Sequence, residues 1–551
     1  MKSLLHGRIR FTLITLLALV LVSSVVVAQD DLSGEIVVSF QSRDTQTWTA
    51  VCEAYEALHP NVDCLVELRP AEGYQDWIRT QFAGGDVRPS LVNGNVVADL
   101  VNQKAFLDLS SYLDLTNPYT GEAWRASIEA GALANMSDPL SGELYLLNLE
   151  TVQVLWFYNR AAFEQAGILA DADAIAATPN NQPTWDQFLG WCDSLTSAGY
   201  IPVAIEGDFR SFWEFRFGWM ARMYADQFTR DEAELVRSQP GDWNFRDGID
   251  DVWAYDPTDN HNDDNINVTF NSVRKMIALR DGLQTVNGPE WRAMYENFGE
   301  FATRCAPPGW IGTSDAYPLF LTGQAAIRLD GAWLISSFER DIRNLAEGTY
   351  NYTGAEASGA TPTPSAGDLA ASVFEIGSFN NPSMEGEFVD APARTIEVNI
   401  GFWSIPAKSQ QQNDLEVDFM MFVTSPEGYG IYLQNVLDPN NADSVGINGP
   451  PTIQGISLPP ELEARFDALR LIGNTEKDTA GTYRSRGVAD YQPSVRAWVD
   501  LAQSYFLGDI TVDEFLDSYQ QSLMDNFDGI LEHQNLTPED LEDPSRRPEN
   551  T

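Results

Sequence analysis

Histidine is scarce in this sequence, and the patterns typical of nucleophilic hydrolases are missing. Among 551 residues there are four histidines, His6, His59, His261 and His533. None belongs to a G-x-S-x-G, H-E-x-x-H or P-loop pattern, so the sequence argues against hydrolysis with a histidine base and against a zinc site. We therefore expect no metal, no cofactor and no catalysis. A two-carboxylate glycosidase stays open because the chain has 80 acidic residues.

Lysine is scarce as well, and acidic residues greatly outnumber basic ones. The 34 lysines and arginines face 80 aspartates and glutamates, which gives a formal net charge of −46. Charge of this sign repels phosphate groups and argues against nucleic acid and anionic membranes as partners. A hydrated acidic surface explains the charge, and an acidic patch for a cationic ligand is the alternative.

The first 28 residues have the pattern of a secretion signal. One lysine and two arginines precede an apolar run at 11–22, and Val26 and Ala28 supply the small residues that signal peptidase requires. We expect cleavage before Gln29 and an exported protein, in the periplasm or at the outer face of the cell membrane. An uncleaved anchor is the alternative, because the run is close to membrane-spanning length.

Four cysteines are expected to meet an oxidising compartment. Cys52 borders the apolar face of a predicted helix, and Cys64 points inward from the predicted strand that follows it. A helix and a strand joined so closely pack face to face, so we predict a bridge, worth about 3 kcal/mol on the chain-entropy estimate. Two buried thiols are the alternative. Cys192 and Cys305 are the remaining two. A second bridge and two separate thiols are both compatible with the sequence.

Strand and helix patterns alternate through the first third of the chain, which predicts a parallel α/β sheet. A long β-rich run at 141–160 is able to cross between domains. An acidic loop at 247–265 lacks the spacing of a calcium-binding loop. The stretch 354–370 is low in complexity and indicates a flexible surface insertion.

Six segments follow one another over nearly the whole mature chain. They are GEIVVSF with the helix and strand after it, LWFYNRAAFEQAGI, PTWDQFLGWCDSLTSAGYIPVAI, LTGQAAIRLDGAWLISSF, GFWSIPAKSQ with DFMMFVTSPEG, and GDITVDEFLDSYQQSL. Together they resemble the extracellular solute-binding proteins of ABC importers, in the group similar to maltose-binding protein. The chain departs from most members in its extra residues near 235–265 and 350–395. Pro89-Ser90-Leu91 also replaces the usual Pro-Asp-Val.

The resemblance implies a two-lobed α/β fold of the type II periplasmic-binding-protein kind, with hinge strands between the lobes. It places lobe 1 at 34–147 and 331–405, with a flexible insertion at 350–395. Lobe 2 would comprise 148–330 and 406–538, followed by a disordered tail at 539–551.

The implied function is capture of a sugar or oligosaccharide in the cleft between the lobes, followed by delivery to the permease subunits of an ABC transporter. We expect a monomer. A cationic solute such as a polyamine is the alternative ligand.

The candidate ligand-binding residues are aromatic or polar and lie at the expected edges of the cleft. Sugar sites combine aromatic planes with polar side chains that bind hydroxyl groups. The candidates are Arg43, Asp44, Asn93, Asn95, Glu150, Trp213, Trp253, Trp310, Asp330, Gly331, Trp333 and Trp403. Core packing is the alternative for each tryptophan, and the family pattern favours the cleft for Trp213 and Trp333.

Overall fold

The computed structural model describes most of the chain after residue 31. The described residues are 32–40, 44–69, 73–85, 87–97, 100–101, 103–138, 141–347, 374–400, 403–441, 444, 446–475 and 480–548. The expected signal at 1–28, Arg43 and the low-complexity stretch 354–370 lie outside them. Within these ranges, no helix combines the length and apolar character that a membrane crossing requires.

Strands of the described residues form two sheets, surrounded by helices. The strands are β1 Gly34–Ser39, β2 Val62–Val66, β3 Leu91–Asn93, β4 Glu150–Asn159, β5 Ile201–Ala204, β6 Ala325–Gly331, β7 Ile376–Phe379, β8 Glu397–Ile400 and β9 Trp403–Ser404. The helices are α1 Thr45–Leu58, α2 Tyr74–Ala83, α3 Ala130–Met136, α4 Arg160–Gln165, α5 Leu169–Ala176, α6 Trp185–Ser197, α7 Phe209–Trp213, α8 Arg216–Thr229, α9 Ala233–Val236, α10 Ser272–Arg280, α11 Pro289–Arg304, α12 Tyr317–Leu321, α13 Leu334–Glu347, α14 Gln410–Val423, α15 Pro426–Val436, α16 Pro460–Asp467, α17 Gln492–Leu507, α18 Val512–Asp525 and α19 Phe527–His533.

The first sheet has the strand order β2-β1-β3-β9. β1 runs parallel to β2 and β3, and β9 is antiparallel to β3. Helix α1 begins after Asp44, which caps it by accepting a hydrogen bond from the Thr47 backbone at 3.1 Å. The predicted bridge between Cys52 of α1 and Cys64 of β2 is confirmed, with an S–S distance of 2.11 Å.

The second sheet has the order β5-β6-β4-β7, and β4 is the strand that continues out of it. Residues 154–158 of β4 pair with β6, whereas residues 150–153 pair with β8. One strand of ten residues therefore crosses from the second sheet toward the first, as the β-rich run at 141–160 predicts.

The helical region around the second sheet contains a helix with a capping box and a second disulfide bridge. Helix α6 begins with a capping box, in which the side chains of Thr184 and Gln187 each accept the other's backbone N–H. Cys192 of α6 and Cys305 after α11 lie 2.16 Å apart at sulfur. The second bridge, left open by the sequence, is therefore present.

Helices α14 and α15 pack beside the first sheet, although the sequence assigned 406–538 to lobe 2. Tyr55 of α1 contacts Phe419 and Phe422 of α14 at ring distances of 4.9 and 5.5 Å. An amphipathic pattern shows that a helix has an apolar face, but not which sheet that face covers.

Two other segments differ from the expected organisation. Strand β7, in the described part of the insertion 350–395, pairs with β4 in the second sheet and is therefore ordered structure. In the tail expected to be disordered, Leu541 is 5% exposed within the second sheet's core, and the Trp243 backbone donates to Pro544 at 3.1 Å.

Two large apolar cores meet between the sheets. One fills a face of the second sheet and the helices that follow it in sequence, including α6, α8, α11 and α17 to α19. The other lies on the first sheet and reaches the opposite face of the second sheet through Leu155 and Phe157. Trp333 packs against both cores, which places it at their junction.

The two segments that are long for the family are joined by a buried ionic clamp, which we define as Asp226, Asp263 and Arg394. Arg394 donates to Asp226 at 2.9 Å and to Asp263 at 3.0 Å, and all three side chains are at most 1% exposed. Asp263 comes from the acidic loop and Arg394 from the segment after β7. The acidic loop is thus part of the packed structure.

Candidate functional site at the junction of the two cores

Three aromatic side chains form a row that ends at the core junction with Trp333. The Trp333 ring, at the start of α13, lies 6.1 Å from the Trp219 ring at an interplanar angle of 59°. Trp219 in turn lies 5.6 Å from Phe215, four residues earlier. Phe215 and Trp333 are half-buried, and Trp219 is 8% exposed. We call Phe215, Trp219 and Trp333 the aromatic run.

A buried ionic cluster adjoins the aromatic run and consists of Glu206, Arg216, Arg328 and Asp330. Arg328 donates to Glu206 at 3.0 Å and to Asp330 at 2.6 Å. Arg216 donates to the same two carboxylates at 3.3 and 3.1 Å. Each guanidinium therefore joins both acids, a geometry that fixes all four side chains.

The electrostatics of the cluster follow from this geometry. Burial alone raises the pKa of a carboxyl group, but Arg328 and Arg216 outweigh that effect and lower the pKa of Glu206. Just outside the cluster, burial raises the pKa of Asp315 to about 6, with Arg328 opposing the shift and Glu206 adding to it. Within the cluster, the lowered pKa means that Glu206 is ionised at neutral pH.

The ionic cluster is linked to both tryptophans of the aromatic run. The Arg216 guanidinium lies over the Trp219 ring, 5.0 Å from its centroid. Asp330 accepts the backbone N–H of Gly331 at 2.9 Å, two residues before Trp333. A Cβ atom at Gly331 would overlap the Trp333 ring, so glycine is required at this close approach.

Trp213 packs against the core of the second sheet, next to a strained turn. Its indole N–H donates to Asp490 at 2.8 Å, and Arg486 pairs with that carboxylate at 2.9 Å. Residues 487–490 all have positive φ, between 46° and 74°, and three of them are not glycine. Backbone strain of this kind concentrates at functional sites, which keeps Trp213 a candidate.

Asp44, Glu150 and Trp403 are all buried. Glu150 bonds to α15, and Asp44 bonds to the segment after it. Glu150 accepts hydrogen bonds from the Tyr429 hydroxyl at 2.9 Å and from the Asn448 backbone at 2.7 Å. Burial raises its pKa, although these donors act in the opposite direction. Asp44 accepts from Asn441 at 3.0 Å.

The aromatic surroundings of Trp403 belong to the core of the first sheet. Its ring lies 4.5 Å from Trp48 and 5.0 Å from Phe40. Trp403 is 5% exposed, so in this structure its ring faces protein on nearly all sides.

The segment 446–448 contacts both Glu150 and the first turn of α13, which follows Trp333. Ser336, in the first turn of α13, donates to the Ile447 carbonyl at 2.9 Å, and Asn448 next to it donates to Glu150 at 2.8 Å. The structure therefore places Glu150 and Trp333 on either side of one short segment.

The other predicted residues lie in different surroundings. Asn93 is 8% exposed, and its backbone N–H donates to Tyr74 at 3.1 Å. Asn95 lies in the turn Gly94–Val97, and its side chain is outside the described residues. Trp310 stacks on Phe212 at 5.5 Å inside the second sheet's core. Trp253 donates to the Asn262 carbonyl at 2.7 Å within the acidic loop.

Sequence reasoning missed Phe215, Trp219 and Arg216. All of α8 is buried, so no polar face shows which of its aromatic side chains reach the junction. The spacing of four residues between Phe215 and Trp219 was the available signal, because such residues share a helix face. In the part of the chain that the structure describes, no group of acidic, histidine or cysteine side chains could hold a metal ion.

Comparisons with known proteins give a consistent result. The family model described as bacterial extracellular solute-binding protein matches residues 41–430. A search of curated protein sequences found no match.

Solved structures with this architecture are binding proteins of two lobes. RafE bound to raffinose gives a TM-score of 0.53 at 16% identity, covering 89% of this chain and 99% of RafE. A chitin oligosaccharide binding protein gives 0.54 at 14% identity, covering 90% and 98%. The ABC substrate-binding protein of Listeria monocytogenes with cycloalternan gives 0.53 at 14% identity, covering 92% and 100%. The predicted two-lobed α/β fold is thereby confirmed.

Proposed function

The chain belongs to the bacterial extracellular solute-binding protein family, and from this premise we propose that it captures a carbohydrate between its two lobes. The bound sugar is delivered to the permease subunits of an ABC transporter, and the protein itself catalyses no reaction. We further propose that residues 1–28 direct export and that the protein acts as a monomer.

The aromatic run carries the proposal. Indole planes pack against the C–H faces of sugar rings, and neighbouring polar groups bind the hydroxyls. Trp333 at the core junction and Phe215 at the other end of the run keep part of their surface exposed, and a cluster of two guanidiniums and two carboxylates adjoins them. That structural neighbours bind raffinose, a chitin oligosaccharide and cycloalternan supports a sugar as the ligand class.

The proposed lobes follow the two sheets. The first sheet with α1, α14 and α15 forms one lobe, and the second sheet with α6 to α11 and α17 to α19 forms the other. β4 is the hinge strand that crosses between them. Closure about such crossing strands would bring Glu150 and its neighbours toward the aromatic run and bury the ligand. Trp253 and Trp310 are left out of the proposed site because their rings pack elsewhere.

A polyamine is the second candidate ligand, and the net charge of −46 is the observation that favours it. Aromatic side chains next to carboxylates also bind organic cations. The two candidates differ in chemistry, so a single screen separates them.

Thermal unfolding in the presence of candidate ligands tests the proposal. The panel contains raffinose, chitin oligosaccharides, cycloalternan and spermidine, with buffer alone as reference. A ligand that binds the folded state raises the unfolding temperature in a saturable way. Saturable stabilisation by a sugar supports the proposal, whereas saturable stabilisation by spermidine alone replaces it with the polyamine function.

The Trp333→Ala variant locates the site once a sugar is found. Loss of a stacking surface should weaken binding at least about tenfold, or about 1.4 kcal/mol. Trp243→Ala is the matched control, because Trp243 is also half-buried but packs under Arg547, 5.5 Å from its guanidinium. Equal affinities of the two variants would remove Trp333 from the site.

A further inference from the structure

The ionic cluster holds the tryptophan pair of the proposed site at both ends. Arg216 lies over the Trp219 ring, 5.0 Å from its centroid. Asp330 accepts the backbone N–H of Gly331, and the Trp333 ring covers Gly331. Arg216 also bonds directly to Asp330, at 3.1 Å. A single buried ion pair thus connects the support of one indole to the support of the other.

From this connection we propose that Arg216 is a positioning residue of the sugar site, which sets the angle between Trp219 and Trp333. The proposal rests on the function proposed above. Arg216 is 3% exposed, so it acts through the indole above it and not by contact with ligand. Its two acceptors, Glu206 and Asp330, fix the guanidinium, and the fixed guanidinium holds the Trp219 ring over which it lies.

The geometry explains why arginine is needed at this place. A planar guanidinium can bond to two carboxylates at its edge while its face remains against an aromatic ring. A lysine ammonium has the same charge but no plane, so it would keep the charge balance of the cluster without fixing the ring. Arg216→Lys therefore separates charge from orientation, and Arg216→Met removes both.

A first experiment needs no ligand. Two indoles 6.1 Å apart at 59° give an exciton couplet in circular dichroism, and the difference spectrum between the parent and Trp219→Phe isolates it. We expect the difference spectrum between the parent and Arg216→Lys, or between the parent and Arg216→Met, to have the same shape and at least about half the amplitude, because the angle between the two indoles is no longer fixed. The Trp48 and Trp403 pair, at 4.5 Å, contributes equally in all variants and serves as an internal reference.

Arg230→Met is the matched control for loss of a buried charge. Arg230 lies at the other end of α8, is 2% exposed and pairs with Asp226 at 3.0 Å. Arg230→Met should lower the unfolding temperature as Arg216→Met does, but it should leave the couplet of Trp219 and Trp333 unchanged. A spectrum of Arg216→Lys identical to that of the parent would overturn the proposal.

A second experiment connects positioning to binding. Affinities for the panel sugars are measured for Arg216→Lys, Trp333→Ala and the double variant. If Arg216 acts through the indole pair, its effect of about tenfold should disappear when Trp333 is absent. Additive effects, or a lost couplet with unchanged affinity, would contradict a positioning role. If no sugar binds even the parent protein, the proposed function fails, whereas the spectra still decide whether Arg216 orients the pair.

Discussion

Gly331 is the residue on which the position of Trp333 depends most directly. The indole of Trp333 folds back over the glycine, and a methyl group there would overlap the ring. The backbone N–H of Gly331 also donates to the carboxylate of Asp330, which is itself a member of the ionic cluster.

Gly331→Ala should therefore destabilise the protein and disturb the site together. We expect the free energy of unfolding in urea to fall by about 1–3 kcal/mol, the usual cost of overpacking. Gly190→Ala is the control, because a Cβ added to Gly190 in α6 would meet no atom within 4 Å. That change should stabilise the protein by about 0.5–1 kcal/mol. Equal stability of both variants would show that the Trp333 ring is free to move.

Asp315 provides a prediction about pH. Burial raises its pKa to about 6 in the folded protein, above the ordinary value of 3.8. Between these values the folded state keeps a proton that the unfolded chain has released. The contribution of this carboxyl to stability is therefore complete below about pH 4 and is lost as the pH rises through about 6.

The Asp315→Asn variant tests this linkage. Asparagine does not titrate, so the variant should gain stability relative to the parent as the pH rises from about 4 to about 7. Urea unfolding at a series of pH values measures the difference. A difference that stays constant over this range would contradict a raised pKa.

Sequence reasoning identified Asp330, Gly331 and Trp333 from a family pattern and missed their partners. The acid, the glycine and the aromatic are adjacent in sequence, so a local pattern contains them. Arg216 reaches Asp330 from 114 positions away, and Glu206, which accepts from Arg216, lies 124 positions before Asp330. No local pattern predicts which distant helix supplies the opposite charge.

At the scale of elements, the clamp of Asp226, Asp263 and Arg394 unites segments that look unrelated in the sequence. Burial opposes the charge of Arg394, but its two carboxylate partners raise its pKa, so the guanidinium stays charged. Gly473 lies against the Asn260 backbone of the same loop, and Thr475 donates to the Thr395 carbonyl at 2.8 Å. The acidic loop therefore supports two of the segments that connect the sheets.

Asp263→Asn should be strongly destabilising. It leaves a buried guanidinium with one carboxylate partner where it had two, and breaking a buried pair typically costs about 3–5 kcal/mol. Asp264→Asn is the neighbouring control, because Asp264 pairs with a largely exposed His261 and should change stability by at most about 1 kcal/mol. Unfolding in urea compares the two, and similar small effects would mean that the loop is not needed for stability.

Elements were predictable where the signal is local. The bridge between Cys52 and Cys64 depends on residues close in sequence, and it was predicted. Strand β7 was not foreseen, because it follows a low-complexity stretch and its partner β4 lies over 200 residues earlier, at a separation of 223 between Phe379 and Trp156. Pairing at such distances depends on the whole fold.

At the scale of the whole molecule, the charge of −46 acts on stability as well as on partners. Like charges on a compact body repel one another, and salt screens that repulsion. The unfolding temperature should therefore rise by at least about 3 °C when NaCl is increased from about 0.02 M to about 0.5 M. An unfolding temperature that falls with salt would mean that the ion pairs outweigh the repulsion.

The same charge determines how stabilisation by a polyamine has to be interpreted. Spermidine is a trivalent cation and screens an acidic surface even where no site for it exists. Screening is shared by all cations, increases without saturation and weakens when NaCl is already present. Binding at a site saturates, persists in about 0.5 M NaCl if the ligand is buried, and is reduced by a change within that site.

We expect spermidine to stabilise the protein by screening and a sugar to stabilise it by binding at a site. The Trp333→Ala variant should therefore lose the shift caused by the sugar and keep the shift caused by spermidine. The reverse pattern would assign the aromatic run to an organic cation.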